Sequence, residues 1–201
     1  MQDAYPIMKT SRTISDYIFD LTAYLFIPAS TILFAKGNNW FTTNFSVLGS
    51  SLDRKNAFTL WGLLVGVYFF CILHHISRKI IPALKGTSLI SISLLLLVCA
   101  ITTPYLPAVF PFSSFFHVLF AFLAAVCLAV FLILLLWQLC HIFPKQFAHY
   151  PAGLFLILLF SGFLLAAAGI VSSALEIFFT ISTAVFCRKL ANQIAVLSIS
   201  Y

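Results

Sequence analysis

Residues 40–56, WFTTNFSVLGSSLDRKN, are the one long polar interruption in a chain that otherwise reads as lipid-soluble helix. The stretch is too polar to span a bilayer and too regular for a slack linker. Phe41, Phe45, Leu48 and Leu52 recur at i, i+4, i+7 and i+11, the spacing of one helical face. Thr43, Asn44, Ser46, Ser50 and Ser51 fill the gaps. A segment of this kind lies on a membrane surface or dips back into the protein with its apolar side down. The expectation is a short interfacial helix or re-entrant loop that roofs a cavity among the helices.

The sequence around it sets the class. Of 201 residues, 62% are hydrophobic and 8% charged, and the mean hydropathy is +1.09. A soluble domain carries roughly 45–50% apolar and about 25% charged residues. What is left here cannot clothe a soluble surface, so the chain reads as an all-α integral membrane protein. Apolar runs cover about 17–35, 57–76, 87–103 and 113–139, and a further run covers 152–186. The last is too long for one span of about 20 residues and should break near Gly169–Ser173. The fold expected is therefore a six-transmembrane-helix bundle. Pro28 predicts a kink in the first span, and Pro104, Pro107 and Pro111 stiffen the link before the fourth.

This divides the chain into a cytoplasmic N-terminal tail (1–16), a six-helix membrane domain (17–189) and a cytoplasmic C-terminal tail (190–201). No signal peptide is expected, because Asp3, Lys9, Arg12 and Asp16 crowd the N-terminus without a short apolar core behind them. The formal charge of +6 does not point to nucleic acid, since the basic residues stand singly or in pairs beside apolar runs. Membrane lipids are the expected partners. Lys9, Arg12, Arg78, Lys79, Lys85, Lys145, Arg188 and Lys189 fall on one side, and Lys36, Arg54 and Lys55 on the other. By the positive-inside rule both termini are cytoplasmic and the 40–56 loop lies outside, in a plasma or bacterial inner membrane. Cys71, Cys99, Cys127, Cys140 and Cys187 sit in or beside apolar runs without a CxxC pair and read as free thiols.

An ionisable group inside a membrane is costly and needs a reason. His117 lies one turn into the outer end of the fourth span, and Glu176 one turn into the outer end of the sixth. Asn44, Ser46 and Asp53 belong to the outer loop, so all five share one depth. Each also has an ordinary role open to it. Ser173 and Glu176 fit a capping box, His117 could bond to Ser113 or Ser114, and Asp53 beside Arg54 and Lys55 is a natural surface charge. Yet Ser172, Glu176, Thr180 and Thr183 form a polar stripe that should face a bundle or wet cavity rather than lipid.

Asn44, Ser46, His117, Glu176 and Thr180 are accordingly the candidate ligand-binding residues, with His117 and Glu176 expected within direct or single-water reach. The leading reading is a cavity for a lipid or apolar ligand, or for docking a membrane partner, with no cofactor. In the alternative, Ser46, His117 and Glu176 are catalytic candidates in a metal-dependent intramembrane lipid hydrolase. Asp53, His117 and Glu176 would then chelate a divalent metal, with Ser46 and Asn44 stabilising an oxyanion. His74, His75 and His141 read as interfacial. No P-loop, GxSxG or HExxH motif is present, and Pro28 with Gly62 and Gly66 are the only hints of a transporter.

The run FTTNFSVLGSSLDRKNAFTLWGLLVG (41–66) resembles the signature of the DUF998 family of small membrane proteins. There an N-x-S-x-x-G-like loop after the first helix leads into a glycine-containing second helix. Asn44, Ser46 and Gly49 match that loop, and Gly62 and Gly66 suit the helix. The FSSFFH run ending at His117, followed by Ala121, looks like the family's histidine at the start of helix four. Leu175-Glu176 looks like its acidic position in the last helix. The resemblance covers about 17–189 and extends more loosely to Frag1/DRAM-type six-helix proteins. One departure is Val47, which stands where the family often has an acid after the loop serine, leaving Asp53 as the nearest carboxylate.

Overall fold

The computed structural model describes residues 13–80 and 86–197, and within them the chain is all helix and connection, with no strand. The helices are α1 (Ile14–Ala35), α2 (Phe45–Gly49), α3 (Lys55–Ile80), α4 (Ser88–Thr102), α5 (Pro111–Ile142), α6 (Pro144–Phe147), α7 (Tyr150–Ala168) and α8 (Ser173–Leu197). Among the described residues four helical runs are long and apolar enough to cross a membrane: α1, α3, α5 and the 144–168 run that joins α6 to α7. Their length and composition mark a membrane protein. α4, at 15 residues, is shorter, and α8 has 25 residues but carries Glu176, Arg188 and Lys189.

Local sequence explains the ends and the irregularities. Thr13 and Asp16 form a reciprocal capping box at the start of α1, so the first helix begins inside the segment expected to be tail. Residues 1–12, with the rest of that expectation, lie outside the described residues. Pro28 has no N–H to give, and its ring would strike the carbonyl four residues back. The helix answers with a π-turn over Thr22–Phe26 just before it, in which the Ile27 amide reaches the Thr22 carbonyl. At the other end of the chain α7 stops at Gly169, whose φ of +69° suits glycine, and α8 starts at Ser173, where the long apolar run was expected to break.

Residues 190–201 were expected to be a tail. Instead α8 continues to Leu197, with Leu190, Ala191 and Ile194 buried. The correction has a physical cause. Arg188, which looked like the end of the span, is only 1% exposed. Its Nε donates to Asp20 Oδ1 at 2.6 Å, its Nη2 to the Asp16 carbonyl at 2.9 Å, and its Nη1 lies 3.5 Å from Asp16 Oδ1. The guanidinium also stands 5.9 Å from the Phe19 ring centre. With its charge matched by α1, Arg188 does not have to leave the bundle.

α8 packs against α1, α3 and α7, while α4 packs against α3 and α5. A Cβ on Gly62 would come within 2.5 Å of Ile101, and one on Gly66 within 2.8 Å of Leu97, so these glycines let α3 and α4 approach closely. The main core lies toward the end of the bundle away from the 40–56 loop. There Ile72, Leu73 and Ile76 of α3 meet Leu132, Leu135 and Leu139 of α5 and Cys187 and Leu190 of α8. The Tyr68 hydroxyl donates to the Ala184 carbonyl at 2.9 Å and fixes α3 to α8 in that core. A cavity lies between the helices and reaches the loop end.

Candidate functional site

The loop between α1 and α3 is built from short-range hydrogen bonds. Gly37 turns the chain at φ +82°, the Asn39 side chain accepts from the Phe41 amide, and the Thr43 hydroxyl donates back to the Asn39 carbonyl at 2.6 Å. Asn44 then caps α2, its Oδ1 accepting from the Val47 amide at 2.8 Å. The apolar stripe expected along the loop holds only in its middle. Phe45 and Leu48 are buried, whereas Phe41 is 55% and Leu52 is 93% exposed. The helix is five residues long, so the i+4 and i+7 spacing fails where the chain leaves helical geometry on either side. The roof is a single turn rather than a long interfacial helix.

That turn is held at four points. The Phe45 ring sits 5.0 Å from Phe34 and 4.7 Å from Trp61, edge-on to both. Gly49 lies so close to α3 that a Cβ there would stand 2.5 Å from Cγ of Phe58. The amides of Ser173 and Ala174, orphaned at the start of α8, donate to the carbonyls of Thr43 and Trp40 at 2.7 and 2.8 Å. In return Glu176 of α8 accepts from the Phe45 amide at 2.7 Å, capping the start of α2. The capping box expected within α8 is therefore not formed. Ser173 spends its hydroxyl on the Thr43 carbonyl, and Glu176 reaches across to the loop. Ser172 takes the local cap, accepting from the Leu175 amide at 3.4 Å.

One residue further along α2, Ser46 Oγ lies 2.6 Å from His117 Nε2. His117 Nδ1 lies 2.8 Å from the Thr103 carbonyl oxygen. A carbonyl can only accept, so Nδ1 is the donor there, and in the neutral tautomer this selects, Nε2 presents its lone pair to the Ser46 hydroxyl, which donates. The ring is 2% exposed and lies between Tyr105 and Phe58, with centroids 5.4 and 6.2 Å away. Ser113 and Ser114, expected as partners of His117, are used elsewhere. Ser113 donates to the Pro104 carbonyl, and Ser114 accepts from the Leu106 amide, which ties the proline-rich link to the start of α5.

Ser46, His117 and Glu176 line one end of a cavity of about 170 Å³. From them it runs between α3, α4, α5 and α8 to Leu73, Ile90 and Leu128. Along α5 that is the distance from His117 to Leu128, about 16 Å at 1.5 Å per residue, and along α3 the lining runs from Phe58 to Leu73, about 22 Å. Thr180 lines it as well. Ser93, also on the wall, donates its hydroxyl to the Ala124 carbonyl at 2.8 Å. The rest of the wall is aliphatic and aromatic.

Of the residues singled out from sequence, Ser46, His117, Glu176 and Thr180 therefore meet at one cavity. Glu176 and His117 are linked through the adjacent residues Phe45 and Ser46. Asn44 does not line the cavity and spends its side chain as a helix cap. Asp53 is exposed in the turn before α3 and is also absent from the lining. Among the described residues no three His, Cys, Asp or Glu side chains come together to hold a metal ion, so the Asp53–His117–Glu176 chelate is not assembled. All five cysteines are free. Sequence reading missed the burial of Arg188 and the tie from His117 to Thr103, a backbone partner that no side-chain pattern signals.

Comparison with known proteins finds no match to this chain among family models, characterised proteins or solved structures.

Proposed function

We propose that the protein is a six-span membrane protein whose cavity holds the hydrocarbon part of a lipid or similar amphipathic molecule, with the polar end at Ser46, His117 and Glu176. The observation that carries this is the sorting of the cavity wall. Ser46, His117 and Glu176 stand together at the loop end, the deeper Ser93 spends its hydroxyl on the Ala124 carbonyl, and the remainder of the wall is almost entirely apolar. A site of that form suits a molecule with one polar end and one chain.

α4 and α8 complete the six spans. α4 carries no charged residue, and the charge of Arg188 in α8 is matched by Asp16 and Asp20. The distribution of lysine and arginine supports cytoplasmic termini and an outward-facing roof, in a plasma or bacterial inner membrane. Kinship with the DUF998 proteins belongs to the same proposal. It is supported by the jobs of the three motif residues: Asn44 caps α2, Ser46 meets His117, and Gly49 admits α3.

Native mass spectrometry of the full chain in detergent micelles tests the reading with dodecan-1-ol as probe. One equivalent should be retained, and Ala121→Phe, which places a ring in the cavity, should abolish retention. Equal retention by the two proteins would overturn it.

A further inference from the structure

Ser46 has more around it than a loop tie requires. The roof is already fastened by the Phe45 ring, by Glu176 on the Phe45 amide and by the start of α8 on the carbonyls of Thr43 and Trp40. The Ser46–His117 contact adds a hydroxyl aimed at the free lone pair of an imidazole whose other nitrogen is committed to a carbonyl. A nucleophile is activated in this way when an adjacent base takes its proton and a third group orients the base. The orienting group here is the Thr103 carbonyl. Both reacting side chains line the cavity, so the carbonyl of a chain seated in it can come up against Ser46.

We propose that Ser46 is an acyl-accepting nucleophile and His117 its general base, acting on the carboxylic ester of a single-chain lipid whose acyl group occupies the cavity. This deepens the binding reading above and rests on it. In the first step Ser46 Oγ bonds to the ester carbonyl carbon while its proton passes to His117 Nε2. The carbon–alkoxide bond then breaks, Nε2 returns the proton to the departing oxygen, and an alcohol leaves behind acyl-Ser46. In the second step water gives a proton to Nε2 and attacks the acyl carbon. Ser46 departs, recovers that proton, and the fatty acid is released. No metal or redox partner enters the balance.

The test uses the full chain in detergent micelles with 4-nitrophenyl laurate. A burst of nitrophenolate and one lauroyl group on the Ser46 peptide are expected. Ser46→Ala should abolish the adduct, and Ser46→Cys should keep it as a thioester, which guards against a loop that has merely come undone. His117→Gln should slow acylation by about 100-fold, the lower range for loss of a general base. 4-Nitrophenyl acetate, which cannot fill the cavity, should acylate far more slowly, and Ala121→Phe should erase the difference. Retention of dodecan-1-ol without any lauroyl on Ser46 would overturn the nucleophile and leave the cavity reading standing. If the protein neither retains dodecan-1-ol nor accepts lauroyl, both fall.

Discussion

Gly49→Ala should detach the serine from the histidine without unfolding the bundle. The added Cβ would stand 2.5, 2.8 and 2.9 Å from Cγ, Cβ and Cδ1 of Phe58. Carbon atoms settle at roughly 3.5–4.0 Å, so about 1 Å of separation has to be found. Turning the Phe58 ring does not supply it, because Cβ of Phe58 is itself too close and is fixed to the α3 backbone. The single turn of α2 must therefore lift away from α3. Ser46 sits on that turn, and its 2.6 Å contact to His117 would lengthen toward 3.6 Å, past the limit of a hydrogen bond. Overpacking of this kind costs about 1–3 kcal/mol, and the main core lies elsewhere. The variant should fold and melt a few degrees lower, and it should lose most of its acylation by 4-nitrophenyl laurate. Scanning fluorimetry and the nitrophenolate burst read the two effects separately. A Gly49→Ala protein with wild-type melting and wild-type burst would refute the close contact between α2 and α3 from which the chain of reasoning starts.

Two further outcomes follow from charge. Asp20→Ala should destabilise more than Arg188→Met: it strips the closest partner from a guanidinium 1% exposed, whereas the methionine leaves two carboxylates that are 18% and 21% exposed and therefore less deeply enclosed. Removing one partner of a buried pair costs about 3–5 kcal/mol, and scanning fluorimetry ranking Arg188→Met as the worse variant would contradict the arrangement. Cysteines placed at Ser50 and Val109 should react with an impermeant maleimide applied from outside, and one at Lys145 should not. Labelling at Lys145 would reverse the proposed orientation.

The helices were legible where composition alone decides them. The apolar runs, the break near Gly169 and the polar loop after the first helix all follow from where water-seeking residues interrupt lipid-seeking ones. The site was legible as a depth, which brought Ser46, His117 and Glu176 to one end of the bundle, but not as a set of bonds. Glu176 accepts from an amide 131 positions away, while the Ser-x-x-Glu pattern pointed to its own helix. Arg188 looked like a flanking charge because its partners, 168 and 172 positions away, lie at the opposite end of the sequence. The Phe41–Leu52 stripe failed for the reverse reason. Periodicity assumes that the helix continues, and after Gly49 the chain turns through 50–54 into α3.

The roof owes its form to this long-range bonding. A single helical turn cannot stand alone, because fixing the first turn costs more than its one hydrogen bond returns. α2 exists because its amides are satisfied from outside, by Asn44 on Val47 and by Glu176 on Phe45, and because Phe45 fills the gap between Phe34 and Trp61. The start of α8 is likewise completed by the carbonyls of Trp40 and Thr43. Each helix end supplies what the other lacks. Glu176 is thus both a wall of the cavity and a fastening of its roof, and whatever draws its carboxylate away loosens the turn that carries Ser46. Position and chemistry are coupled there through two adjacent residues, Phe45 held by the carboxylate and Ser46 by the imidazole.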